Sequence, residues 1–285
     1  MAEAGDTGHS VDSVDSVDPP GRPEYRPGHR QEGWDLRFGW GDEGLRAIAQ
    51  GAASVVVVDV LRFTSAVSVA VGRKGVVLPY AWGTGDAARA YAADNDAELA
   101  GMREHGGWSL SPTALARLPA GTRLVLPSPN GSALAFGAQD DAPGAQVLAG
   151  CLRNASAVAA VAGAVAGPVA VVAAGERWRT NRGPLRPSVE DLLGAGAVLR
   201  ALVDVAARPV DSMAPEARAA VAAFDAARHD VGGWLRGSAS GRELIAIDFG
   251  DDVDAAALLD AEQVAPVLEG RAFAGVAPAV AGPLR

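Results

Sequence analysis

The sequence predicts an α/β fold built on a mainly parallel sheet. Three observations carry that prediction. From Trp34 onward short β-branched runs alternate with Ala-rich segments of helical character, the pattern of strands joined by crossover helices. Several runs are apolar without alternation, as strands covered on both faces require. Polar residues collect immediately after these runs, where ligands bind in open parallel sheets.

With 285 residues, 49% of them hydrophobic, the chain can bury a sizeable core in one large domain or two lobes. Residues 1–30 repeat Ser-Val-Asp and continue as "PPGRPEYRPGH", too polar and proline-rich to order themselves; they are read as a disordered tail, with the folded domain at 31–285. The strand expectations are 54–60, 75–80, 122–127, 146–149 and 168–173. Helices are expected at 42–50, 65–72, 86–93, 155–166, 189–206, 215–230 and 251–260, with Gly-rich loops filling most of the text between 230 and 250. The uncharged stretch 154–175 is long enough for a membrane span, but its Ala, Gly and Val drive insertion weakly and Gly167-Pro168 divides it into a helix and a strand.

The formal charge of −9, from 34 acidic and 25 basic side chains, argues against nucleic acid or an anionic membrane as partner. An anionic ligand therefore needs a local basic pocket. Cys151 is the single cysteine, so no intrachain disulfide forms; this fits a reducing, cytoplasmic setting, and the amino terminus lacks the pattern of a secretory signal. His9, His29, His105 and His229 show no zinc spacing. "GTGDAA" at 83–88 matches a dinucleotide fingerprint, yet no acid follows at the end of a clear next strand, and a turn into a helix near Asp86 accounts for it.

Asp59 follows four valines directly and would lose hydration there without a cation or several donors. An ion pair with Arg62 or a bound metal would each answer it. "SPNGS", with Ser128, Asn130, Gly131 and Ser132, is either a plain turn or the start of a helix whose free N–H groups face an anion. Asn154 follows the fourth strand. After the fifth come Arg177, Arg179, Arg182 and Arg186, then Glu190 and Asp191. Guanidinium groups pair with phosphate or sulfonate oxygens, and carboxylates offer the hard oxygen ligands Mg²⁺ takes alongside water. The same loop can also be read as a solvated basic segment ahead of a helix capped by Ser188.

"VVVVDVLRFTSAV" resembles the Asp-Val-Leu-Arg-Ala-Thr strand exit of the 2-phosphosulfolactate phosphatase (ComB-like) family, and "PNGS" its Thr-Asn-Gly-Thr turn. "LAGCLRNASAVA", "RPSVEDLLGAGAV" and "GRELIAIDFGDDVDAAALLDAEQVAPVLEG" follow in the family's order. The resemblance implies a three-layer α/β/α fold, a homodimer and Mg²⁺-dependent release of phosphate from a small anionic phosphorylated substrate. Asp59, Glu190 and Asp191 would hold the metal, and with Arg62 would form the catalytic set. Ser128, Asn130, Gly131, Ser132, Asn154, Arg177, Arg182 and Arg186 would bind substrate. Two departures stand out: Met102 where the family has Glu, and a loop shortened to "GWSLSP" at 107–112. They leave open a second reading, an anion-binding protein of the same fold with weakened or lost turnover.

Overall fold

A computed structural model describes residues 25–81, 83–101, 107–178 and 183–279. In chain order the strands are β1 (Leu36–Trp40), β2 (Ser54–Val58), β3 (Val76–Tyr80), β4 (Glu98–Leu99), β5 (Arg123–Pro127), β6 (Gln146–Gly150), β7 (Val169–Ala173), β8 (Glu176–Arg177), β9 (Leu185–Arg186), β10 (Ala265–Glu269) and β11 (Ala272–Val276). The helices are α1 (Gly41–Ile48), α2 (Phe63–Gly72), α3 (Asp86–Asp94), α4 (Pro112–Leu115), α5 (Gly131–Asp141), α6 (Ala155–Ala164), α7 (Val189–Asp204), α8 (Pro215–Ala227), α9 (Val231–Gly237), α10 (Ala239–Ala246) and α11 (Gly250–Ala256).

Nine strands form one sheet in the order β1-β7-β2-β6-β10-β11-β3-β5-β4. The four valines of β2 explain the layering. Val55 and Val57 point into a core shared with α1, α2 and α5, while Val56 and Val58 point into another shared with α6, α7 and α8; each face of the strand is dry, which is why no polar residue alternates there. The β1-β7-β2-β6 and β3-β5-β4 blocks are parallel within themselves. Between them lies the antiparallel hairpin of β10 and β11, pairing with β6 on one side and β3 on the other.

By pairing sense this hairpin sets β3 and β5 against β2 and β6. A sheet twists by about 20–25° per strand pair, or about 100–125° over the five pairings from β2 to β5. The twist lets the carboxyl end of β5 swing toward that of β2. A β-carbon built on Gly131, just past β5, would lie 2.8 Å from Asp59 Oδ2, just past β2.

Two expectations are corrected and one is met. Residues 25–30, assigned to the tail, lie against the domain: Tyr25 packs beside the α2 core and donates its hydroxyl to Glu43. The text between 230 and 250 is helical, because Asp230 accepts from the Gly233 N–H at 3.0 Å to cap α9 and Ser238 from the Gly241 N–H at 2.9 Å to cap α10, outweighing the glycines. The uncharged stretch is divided between α6 and β7; among the described residues no helix is long and apolar enough to cross a membrane.

Candidate active site

The exits of β2, β5 and β7 and the start of α7 meet at one rim of the sheet. Asp59 leaves β2 into a turn locked by Thr64, whose hydroxyl donates to the Asp59 carbonyl at 2.8 Å and accepts the Asp59 N–H at 3.0 Å. The Asp59 residue is 7% exposed. It accepts the Phe63 N–H at 3.2 Å, at the start of α2, and the Gly131 N–H at the start of α5. A β-carbon at 131 would stand 2.2 Å from Phe63 Cδ1, so only glycine allows α5 to begin so close to Asp59. Burial first, then the charges of Glu176 and Glu190, push the Asp59 carboxyl up to about 7, against the opposing pull of the two N–H donors.

Glu190 and Asp191 are neighbours in the first turn of α7 with different situations. Asp191 Oδ1 accepts the Val60 N–H at 2.7 Å, and Oδ2 accepts the Gly175 N–H and the Ser188 hydroxyl, both at 2.8 Å. It therefore staples the exits of β2 and β7 to α7. Gly175 makes this possible with a left-handed φ of +65°. Burial, followed by Asp59 and Glu190, holds the Asp191 carboxyl well above the usual carboxylate range. Glu190 is 2% exposed, yet its Oε2 has no hydrogen-bond partner among the described residues. A buried, unanswered carboxylate oxygen is costly unless something else meets it.

Sequence reasoning passed over Glu176. It stands three residues past the end of β7, on β8, and the rule that singled out Asp59 at a strand exit applies equally to it. Its Oε2 accepts the Asn130 amide at 3.2 Å, linking the β5 and β7 exits. Burial and then Glu190 raise its carboxyl, while Arg186 and Asn130 oppose the rise.

The remaining predicted residues separate by position. Arg186, on β9, lies close enough to act on Glu176; its Nη2 donates to Ser240 at 3.1 Å and its guanidinium lies 5.8 Å from the centre of the Trp178 ring. Arg177 is turned outward to Asp42 at 3.3 Å. Arg179 and Arg182 fall outside the described residues, as does Met102. Ser128 bonds the end of β3 through its N–H, and the Ser132 hydroxyl accepts the Tyr80 N–H at 3.1 Å, so both join β3 to β5. Asn154 is fully buried; its Oδ1 accepts the Cys151 N–H and its amide donates to the Ala149 carbonyl, which makes it a brace for the β6 exit. Cys151 is also buried, which raises its thiol to about 11 and disfavours a thiolate nucleophile.

Arg62 does not pair with Asp59, the bond its spacing suggested. It reaches instead to Asp252 Oδ2 at 3.1 Å, across 190 positions of sequence, and its guanidinium lies 4.3 Å from the centre of the Phe249 ring. Asp252 and Phe249 lie within the segment 241–270 that matches the family's order, but neither spacing nor motif marked them as partners of Arg62.

Among the described residues no three acid, histidine or cysteine side chains are gathered as a ready-made metal site. The donor chemistry nevertheless suits Mg²⁺, which binds through one or two carboxylates and keeps several waters; Glu190 Oε2 offers one unused hard oxygen beside Asp59.

Fold and site together define an α/β protein whose buried acids cluster where three strands end, with an arginine-bearing hairpin beside them. The model of the 2-phosphosulpholactate phosphatase family matches residues 44–271, and the chain belongs to that family. A search among curated proteins finds no match.

Proposed function

We propose that the chain is a phosphoric monoester hydrolase acting on a small phosphorylated acid, 2-phosphosulfolactate or a related phosphorylated hydroxy acid. Family membership supports the reaction class. The observation that carries the site is Glu190 Oε2, buried and unpartnered within an acid cluster that mutual repulsion and burial strain toward the protonated state. A divalent cation would answer the open Glu190 oxygen and ease the repulsion among the neighbouring carboxylates.

In this reading Glu190 and Asp59 would hold Mg²⁺, and Asp191, fixed by its three donors, keeps the start of α7 in place beside the β2 exit. When bound, Mg²⁺ supplies charge neutralisation for the phosphoryl oxygens and acidifies water. Arg186 adds positive charge from the hairpin. Asn130 and Glu176 fix the rim between the β5 and β7 exits. Asp59 would accept the proton of the attacking water, directly or through solvent. The water oxygen bonds to phosphorus, the ester P–O bond breaks, the proton taken from water passes to the leaving oxygen, and inorganic phosphate and the free hydroxy acid leave.

The second reading, an anion binder without turnover, is favoured by one observation only, Met102 in place of the family's glutamate. Phosphate release from 2-phospholactate by the purified chain, with Mg²⁺ and with excess chelator, separates the two. Release that needs Mg²⁺ supports the enzyme; no release, alongside thermal stabilisation by the same compound, supports the binder.

A further inference from the structure

We propose that Asp252 is a positioning residue that presets Arg62 to receive the substrate's second acidic group, the one not undergoing reaction. The inference rests on the phosphatase reading for its substrate and on separate geometry for its site.

Asp252 is 1% exposed and carries four donors. Oδ1 accepts the Ser111 hydroxyl and the Thr113 hydroxyl, each at 2.6 Å, and the Thr113 N–H at 3.2 Å; Oδ2 accepts Arg62 Nη1 at 3.1 Å. Ser111 and Thr113 lie on the shortened 107–112 loop and at the start of α4, so the segment where this chain departs from its family fixes this carboxylate. Phe249, just ahead of α11, covers the guanidinium from one side at 4.3 Å. Arg62 is thereby held in one orientation before any ligand arrives, which lowers the ordering cost of binding.

The bond to Asp252 uses Nη1. Among the described residues Nε and Nη2 of Arg62 make no hydrogen bond, and the side chain keeps 18% of its surface exposed. Nε and Nη2 form the forked edge that grips two oxygens of a carboxylate or sulfonate. Arg153 shows the contrast: its Nε and Nη2 are both spent on Glu262 and its Nη1 on the Ala255 carbonyl, as befits a structural arginine. Asp252 already balances the charge of Arg62, so the pair suits a monoanionic oxyanion better than a phosphoryl dianion, which belongs with the acid cluster and its cation. Arg62 also precedes Phe63, whose N–H binds Asp59, so the two anion positions are set by the same helix start.

The test compares 2-phospholactate with isopropyl phosphate, which differs only in having a methyl group for the carboxylate. The wild-type preference, expressed as the ratio of their kcat/KM values, should fall about tenfold in Asp252→Asn and in Arg62→Lys, chiefly through KM for 2-phospholactate. A merely structural role lowers both substrates alike and leaves the ratio standing, which would overturn the proposal. If Asp252→Asn does not fold, Phe249→Leu takes its place with the same required loss of preference. Should the wild type release phosphate from neither compound, the phosphatase reading fails by itself, and calorimetry with lactate then decides the Arg62 site. Lactate binding abolished by Asp252→Asn sustains it; no binding to wild type, or equal binding to both, ends it.

Discussion

The two ends of α2 both carry buried charge, and they differ in how that charge is answered. Toward the carboxyl end, a groove of about 670 Å³ is lined by Arg73, Arg153 and Glu262, and there Arg153 forms a two-pronged pair with Glu262 at 2.7 and 2.8 Å. Every charge in that pair has a partner, so the region is a structural joint. At the amino end Asp59, Glu176, Glu190 and Asp191 crowd together, with the carboxyls of Asp59, Glu176 and Asp191 raised and one oxygen of Glu190 that nothing described meets. Folding alone gives no reason to assemble like charges out of water. The difference teaches that cavity size is a poor guide here and unanswered charge a better one.

The sharpest way to break this comparison is to neutralise one residue at each end. Glu190→Gln should lower kcat/KM for phosphate release by about a hundredfold or more, since it removes charge that supports the cation, while urea unfolding shows stability kept or raised because like-charge repulsion is relieved. Arg153→Ala should do the reverse: a loss of about 3 kcal/mol or more in stability, because Glu262 is left buried without its partner, with the specific activity of the surviving folded protein near that of wild type. Loss of activity without loss of stability in both variants would erase the distinction drawn between the two ends.

Gly131→Ala probes the close approach itself. The added methyl meets the Phe63 ring and Asp59, so the start of α5 must shift; a cost of about 1–3 kcal/mol follows from overpacking, measurable by chemical unfolding, together with a fall in kcat as the Gly131 N–H leaves Asp59.

The pH dependence sharpens the electrostatic side. Folded Asp59 keeps its proton up to about 7, whereas the unfolded side chain gives it up near pH 4. The folded state then binds more protons between those limits, so the contribution of this group to stability is complete below about pH 4 and is lost as pH rises through about 7. Without Mg²⁺, the stability of Asp59→Asn relative to wild type should therefore increase between pH 5 and pH 8 in unfolding titrations. The smallest effect is expected at Cys151: buried and raised to about 11, it should resist thiol reagents in the native state, and Cys151→Ala should leave turnover near wild type.

Much of the fold was legible because its signals are local. The strand runs around Val56 and Val171 lie in the central sheet, dry on both faces as their unbroken apolar text required, and Glu190 and Asp191 do open a helix. The hairpin of β10 and β11 was illegible for the opposite reason. Its strands, "APVLE" and "AFAGV", contain Pro and Gly, and their place between β6 and β3 is set by pairings far away in sequence. The same holds at the site. Asp59 could be read from the valines before it, but Glu176 was hidden among arginines that drew attention to themselves. The partner of Arg62 lay 190 residues on, where spacing along the chain carries no information.

Mg²⁺ binding by the acid cluster underlies the proposed chemistry, and calorimetric titration of Mg²⁺ into the full chain at pH 8 measures it. Saturable binding by the wild type, weakened at least tenfold in Glu190→Gln, is the predicted result. Heats of binding that are absent from the wild type, or identical in the two proteins, would contradict it.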